Sequence, residues 1–266
     1  MARPFDGVPL KLSRTTMFET RKVLMPILML FLLIGRANGQ SAPAQAAGSF
    51  FQLATPGQLT LTLFGGGYMS DQYGTTQAGF QFEQSVTTSV GLVGRAMGYQ
   101  LYVGNPFDNP LAPRSGHRSR LNFGRFQGGL DIKPFDGTNL FILGGGDAGD
   151  SHAGVVESGL SSWVLMRSSH PINLAMSGVW GSENQVWITE MDLRTILYSS
   201  EQYLLLVGAG GAIYAGGFVH GVEGQGGPNF GIYFPGWRIG LDAQAGYGSA
   251  RQYGELSIFK QFAWTE

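Results

Sequence analysis

The sequence predicts an all-β protein: a single closed, antiparallel transmembrane β-barrel of about twelve strands with up-and-down topology. Three observations lead there. First, beyond residue 47 no stretch carries a sustained helical stripe, whereas apolar and polar residues alternate with period two again and again. Second, Gly is 42 of 266 residues and charged residues are only 13 %, against a usual share of about 25 %. Mean hydropathy is nevertheless only +0.02. That mixture suits one face in lipid and the other in a wet lumen. Third, the connections between the alternating segments are short on one side and long on the other.

The chain opens on a targeting segment. Residues 23–35, VLMPILMLFLLIG, form an apolar run too short for a comfortable membrane helix of about 20 residues. Arg21 and Lys22 precede it and Ala37-Asn38-Gly39 follows it, the three parts of a secretory signal peptide. The expectation is a signal over residues 1–39, with Met17 as a possible true start and Ala44-Gln45-Ala46 as a second cleavage site. Residues 40–56 are then an N-terminal periplasmic segment and 57–264 the barrel. Cleavage removes six basic and two acidic residues, leaving 11 basic and 16 acidic. No basic patch remains, which argues against a nucleic-acid partner. With no cysteine, disulfides, thiolate metal sites and a cysteine nucleophile are excluded.

The strands follow in order: 57–69, 77–86, 89–103, 119–132, 138–146, 154–166, 172–181, 186–197, 202–216, 228–234, 237–248 and 253–264. The clearest is 237–247, WRIGLDAQAGY. Trp237, Ile239, Leu241, Ala243, Ala245 and Tyr247 share one face, and Arg238, Gly240, Asp242, Gln244 and Gly246 the other. Aromatics at both ends of the apolar face belong at the two membrane interfaces. In 187–197, Trp187, Thr189, Met191, Leu193, Thr195 and Leu197 oppose Ile188, Glu190, Asp192, Arg194 and Ile196. Short connections at 87–88, 133–137, 167–171, 198–201 and 235–236 carry turn formers such as Asp136-Gly137 and Pro235-Gly236. The longer ones, 104–118 and 217–227, lie on the opposite side.

Over residues 50–264 this pattern resembles the bacterial outer-membrane β-barrel proteins as a class. Tyr253–Trp264 resembles that class's terminal insertion signal, with Leu256, Ile258, Phe262 and Trp264 on one face. Two departures stand out. Thr265 and Glu266 follow the last aromatic, and Lys260 falls on the lipid face, where a basic residue at mid-depth costs about 2–4 kcal/mol. Lys260 must either lie near an interface and snorkel, or mark a break in register.

Alternation assigns Glu83, Arg95, Glu157, Glu190, Asp192, Arg194, Arg238, Asp242 and Glu255 to the lumen. Charges of both signs in a lumen of moderate width admit two readings. They pair and close it, or they line a narrow selective channel. Arg114, His117, Arg118 and Arg120 form a basic loop able to contact lipopolysaccharide phosphates or an anionic glycan. Asp147, Asp150 and His152 in GGGDAGDSH evoke the Asp–His rim of outer-membrane proteases, but a second acidic pair is not identifiable. Ser151-His152 and Ser169-His170 are sequence neighbours that point oppositely in extended chain. The glycine runs 65–67, 144–146 and 210–211 lack the lysine of a phosphate loop. The expectation is therefore a protein that is not an enzyme and uses no cofactor or metal. The leading function is a narrow, porin-like channel for small polar solutes. The alternatives are a non-conducting accessory barrel in envelope assembly or exopolysaccharide (cellulose-type) secretion, and an outer-membrane hydrolase. Expected partners are outer-membrane lipid, lipopolysaccharide, the barrel-insertion machinery and components of envelope assembly or polysaccharide secretion.

Overall fold

The computed structural model describes residues 57–70, 73–103, 119–164, 171–182, 186–215, 222–248 and 251–264. The expected leader and the segment 40–56 lie outside them. Twelve strands occupy the described residues: β1 (Leu59–Ser70), β2 (Tyr73–Ser85), β3 (Val90–Val103), β4 (Ser119–Phe135), β5 (Thr138–Gly149), β6 (Gly154–Val164), β7 (Ile172–Gly181), β8 (Val186–Ser199), β9 (Leu204–Ala215), β10 (Val222–Phe234), β11 (Ile239–Gly248) and β12 (Arg251–Trp264). Each pairs antiparallel with its chain neighbours, and β1 pairs with β12 from Leu59–Trp264 to Ser70–Tyr253, so the sheet closes on itself. Closure leaves no unpaired sheet edge, the condition for crossing a bilayer with strands.

Alternation decides which side chains leave the ring. Leu63, Phe80, Phe82, Phe126, Ile142, Met191, Leu193, Phe230, Leu256 and Ile258 are exposed, while their strand neighbours Thr62, Gln81, Glu83, Gln127, Leu143 and Asn229 are buried. The protein is thus inside out relative to a water-soluble barrel. Exposed aromatics mark both ends of this apolar surface. Phe135, Tyr198, Trp237 and Trp264 stand at the end with short turns; Trp180, Trp187 and Tyr247 stand at the other. Amphipathic rings settle at the two interfaces of a bilayer.

The short turns close by local hydrogen bonds. Val86 and Thr87 both donate to the Val90 carbonyl. Asp136-Gly137 makes a two-residue hairpin with Gly137 at φ 76°, the left-handed region that glycine enters without cost. Lys260 sits near this end: its Nζ donates to the Trp237 carbonyl and lies 5.4 Å from the Phe262 ring. The register is unbroken, with Lys260 opposite Leu63 and Ile239. Snorkelling, rather than a slip, accommodates the charge.

Most strand ends shift by one to three residues from the sequence reading, and three of the shifted starts have a cause visible in the chain. β11 begins at Ile239, not at 237, because the Pro235-Gly236 turn runs on through Arg238, which has φ 51°. β10 starts at Val222 rather than 228, so most of the loop expected over 217–227 is strand. Pro228 hid this: it lacks an N–H, and the β10–β11 pairing is interrupted between Gly226 and Asn229, where that donor is missing. β2 begins at Tyr73, before the alternation becomes legible.

Candidate functional site in the barrel interior

The inward faces divide the bore into three zones. Near the turn end it is packed with apolar groups. Leu204, the first residue of β9, meets Tyr233 and Phe259, with Phe64 against them. Trp163, Ile196 and Leu206 form a second cluster, and Val93, Leu143 and Phe141 a third. Leu143 is 0 % exposed. It lies in a strand whose outer neighbour Ile142 is open, so only contacts within the bore can bury it.

Two charged networks lie among and above this packing, Glu157 standing in register with Leu143. Arg95 Nη1 donates to both carboxylate oxygens of Glu157, at 2.8 and 2.9 Å, and its Nε donates to Gln81 Oε1 at 3.1 Å. Gln127 Nε2 donates to the same carboxylate at 3.3 Å. In the second network Arg194 Nε faces Asp192 Oδ2 at 2.5 Å while its Nη1 pairs with Asp242. Asn229 Nδ2 donates to Asp192 from β10, two strands along the ring. Arg95 and Glu157 stand on β3 and β6; Arg194 and Asp242 stand on β8 and β11. Partners three strands apart meet only across the bore, and each link spans a quarter of a twelve-strand ring.

Glycine makes the second network possible. A Cβ on Gly231 would lie 2.6 Å from Asp242 Oδ1 and 3.4 Å from Arg194 Nη1. One on Gly210 would lie 2.9 Å from Asp192 Oδ1. The charged side chains occupy the volume that these two residues leave empty.

Towards the loop end the inward faces turn polar and form a vestibule. Glu190 and Glu255 are exposed there. Tyr68 donates from its hydroxyl to Gln225 Oε1 at 2.6 Å, again across three strands, and stacks on Tyr253 at 5.9 Å. Gln244 Nε2 donates to the Tyr253 hydroxyl at 2.7 Å. Arg125 holds Asp147 through two hydrogen bonds, at 2.7 and 3.0 Å, beneath the stacked rings of Tyr99 and Phe123.

Of the residues assigned to the lumen by sequence, Arg95 and Glu157 meet in one network, and Asp192, Arg194 and Asp242 in the other. Glu83 is buried on the inward face of β2, and Glu190 and Glu255 border the vestibule. Arg238 is corrected: it lies exposed in the turn after β10. Arg114, His117 and Arg118 lie outside the described residues, as do Ser169, His170 and His220. Arg120 falls in β4, but its side chain is not among those described. Asp147, weighed with His152 as a polar loop group, is instead the partner of Arg125 and also accepts from Ser151 Oγ at 3.3 Å. The sequence reading missed the amides Gln81, Gln127 and Asn229, which complete both networks. Their inward parity in the strands was the available signal.

No family model and no curated protein matches the chain. Solved structures with a similar fold are bacterial outer-membrane β-barrel proteins. LpxR from Salmonella typhimurium aligns with 7 % identity over 76 % of this chain and 99 % of its own, with a TM-score of 0.48. OmpT, an outer membrane protein of Vibrio cholerae, aligns with 12 % identity over 80 % and 99 %, with a TM-score of 0.32. OmpF of Salmonella typhi, solved with daunomycin, aligns with 10 % identity over 77 % and 97 %, with a TM-score of 0.31. These likenesses bear on the fold alone: a closed outer-membrane barrel. The expectation that the chain is not an enzyme is corrected here. An outer-membrane enzyme, LpxR, stands among the similar folds beside porins, so a barrel of this kind does not set catalysis aside.

Proposed function

We propose that this protein is a non-conducting outer-membrane barrel that serves envelope assembly or polysaccharide secretion as an accessory, rather than an open channel. The observation that supports it is the Asp192–Arg194–Asp242 clamp with Asn229, which ties the inward faces of β8, β10 and β11 together above the apolar packing around Leu206 and Tyr233. A permeable lumen needs its charged ladder hydrated, so that a solute exchanges water for side chains and leaves again. Here the guanidinium is shared between two carboxylates, and the layer below it is apolar.

Planar-bilayer recording on the refolded full chain tests this. The expected result is a flat trace with no unitary steps. Regular steps whose cation-over-anion selectivity shifts on combining Glu190→Gln with Asp192→Asn would overturn it and reinstate a channel for small polar solutes.

A further inference from the structure

On the loop-side inner wall the charges do not balance. Arg95 is spent on Glu157, Arg125 on Asp147, and Arg194 is shared between Asp192 and Asp242. Glu190 and Glu255 are left without an ion-pair partner among the described residues. Each is the fifth residue of its strand, β8 or β12, counted from the loop end, and each is exposed to the vestibule. Their cross-strand neighbours are Ser177 and Ala212 for Glu190, and Tyr68 and Gln244 for Glu255, none of them a cation. Glu190 is repelled by Glu255, Glu157 and Asp192.

Hydrogen-bond donors are short as well. Gln127 and Asn229 are 6 % and 4 % exposed. Each spends its amide N–H on a carboxylate, Glu157 or Asp192, while Gln127 Oε1 and Asn229 Oδ1 accept from nothing among the described residues. A buried acceptor left open is unfavourable. Two of them beside an excess of carboxylate point to a ligand that brings positive charge and N–H groups together.

We propose that the vestibule binds a linear polyamine, with one terminal ammonium on Glu190 and the other on Glu255. The chain between them lies above the Asp192–Arg194–Asp242 clamp, its inner N–H groups turned towards the acceptors of Gln127 and Asn229. A metal ion is a poorer match, because among the described residues no three acidic or histidine side chains converge on one point. Glu190 and Glu255 stand four strands apart, a third of the ring. With strands about 4.8 Å apart and tilted by ~40°, their backbones face each other across roughly 20 Å and their carboxylates across about 10 Å. An extended triamine spans that gap and a point charge does not.

Isothermal titration of spermidine into the refolded full chain in detergent provides the test. The expected result is saturable binding of one spermidine per chain, at least tenfold tighter than magnesium or the shorter diamine putrescine. Combining Glu190→Gln with Glu255→Gln should weaken it at least tenfold, and each single change should weaken it too. Both changes keep side-chain size and relieve repulsion, so thermal unfolding without ligand should match the parent or exceed it. Glu201→Gln, at an exposed acid beyond the turn end of β8, should leave binding unchanged. No saturable binding, equal affinity for magnesium, or equal weakening by Glu201→Gln would overturn the site and leave only a diffuse counterion atmosphere. The site is independent of whether the bore conducts. Unitary steps in a bilayer would overturn the accessory reading and leave spermidine binding in place; a flat trace without spermidine binding would do the reverse.

Discussion

Arg194 is a single cation held between two carboxylates inside a protein whose outside is hydrocarbon. Desolvating such a cluster is costly, and the Coulombic return is lost once one member goes. Arg194→Leu strands Asp192 and Asp242 together; a loss of about 3–5 kcal/mol is expected, read from the urea midpoint for unfolding in detergent. Gly231 is tied to the same cluster by space. Gly231→Ala puts a methyl 2.6 Å from Asp242 Oδ1 and should cost about 1–3 kcal/mol, the usual penalty for overpacking. Gly144→Ala, where a Cβ meets nothing within 4 Å, should stay within about 0.5 kcal/mol of the parent. Equal effects of the two glycine changes would show that the interior is looser than described.

Strands carry the next level of constraint, because each residue's face follows from its neighbour's. β12 shows the depth dependence. Lys260 reaches the Trp237 carbonyl near the turn end, whereas Ile258 lies two residues deeper and 50 % exposed. Lys260→Leu should change folding stability by no more than about 1 kcal/mol; Ile258→Lys should cost about 2–4 kcal/mol. Folding titrations into lipid vesicles compare them directly. The same alternation made most of the fold readable from the sequence. β7 coincides with its expected span, and the parity of Glu190, Asp192 and Arg194 follows from spacing alone. Arg238 was misplaced because parity ignores where a turn ends, and a positive φ there is invisible to a hydropathy pattern. The start of β10 was hidden by Pro228 and its flanking glycines, which read as loop though they fill strand positions. Which charges meet was not legible at all: Arg95 finds Glu157 through the curvature of the ring, and nothing local to either residue encodes the distance across it.

For the whole molecule, the division into apolar base, charged middle and polar vestibule predicts how lumen substitutions behave. Combining Glu190→Gln with Asp192→Asn removes one exposed acid and one member of the clamp. In a closed bore this lowers stability and creates no selective conductance; in a hydrated pore it shifts ion selectivity and spares stability. Paired measurement of thermal unfolding and bilayer current separates the outcomes. A change in neither would remove both residues from the functional interior.

The pairing of β1 with β12 has a consequence for biogenesis. Every other ladder joins strands adjacent along the chain and can form once the later of the two has arrived. This one unites the two ends of the barrel domain, Leu59 with Trp264, and bears nearly all the loop-closure entropy of the ring. A chain released before β12 is made would carry an open sheet with two raw edges, prone to pairing with other chains. The terminal strand is thereby a built-in proofreading step: only a full-length product can hide its own backbone.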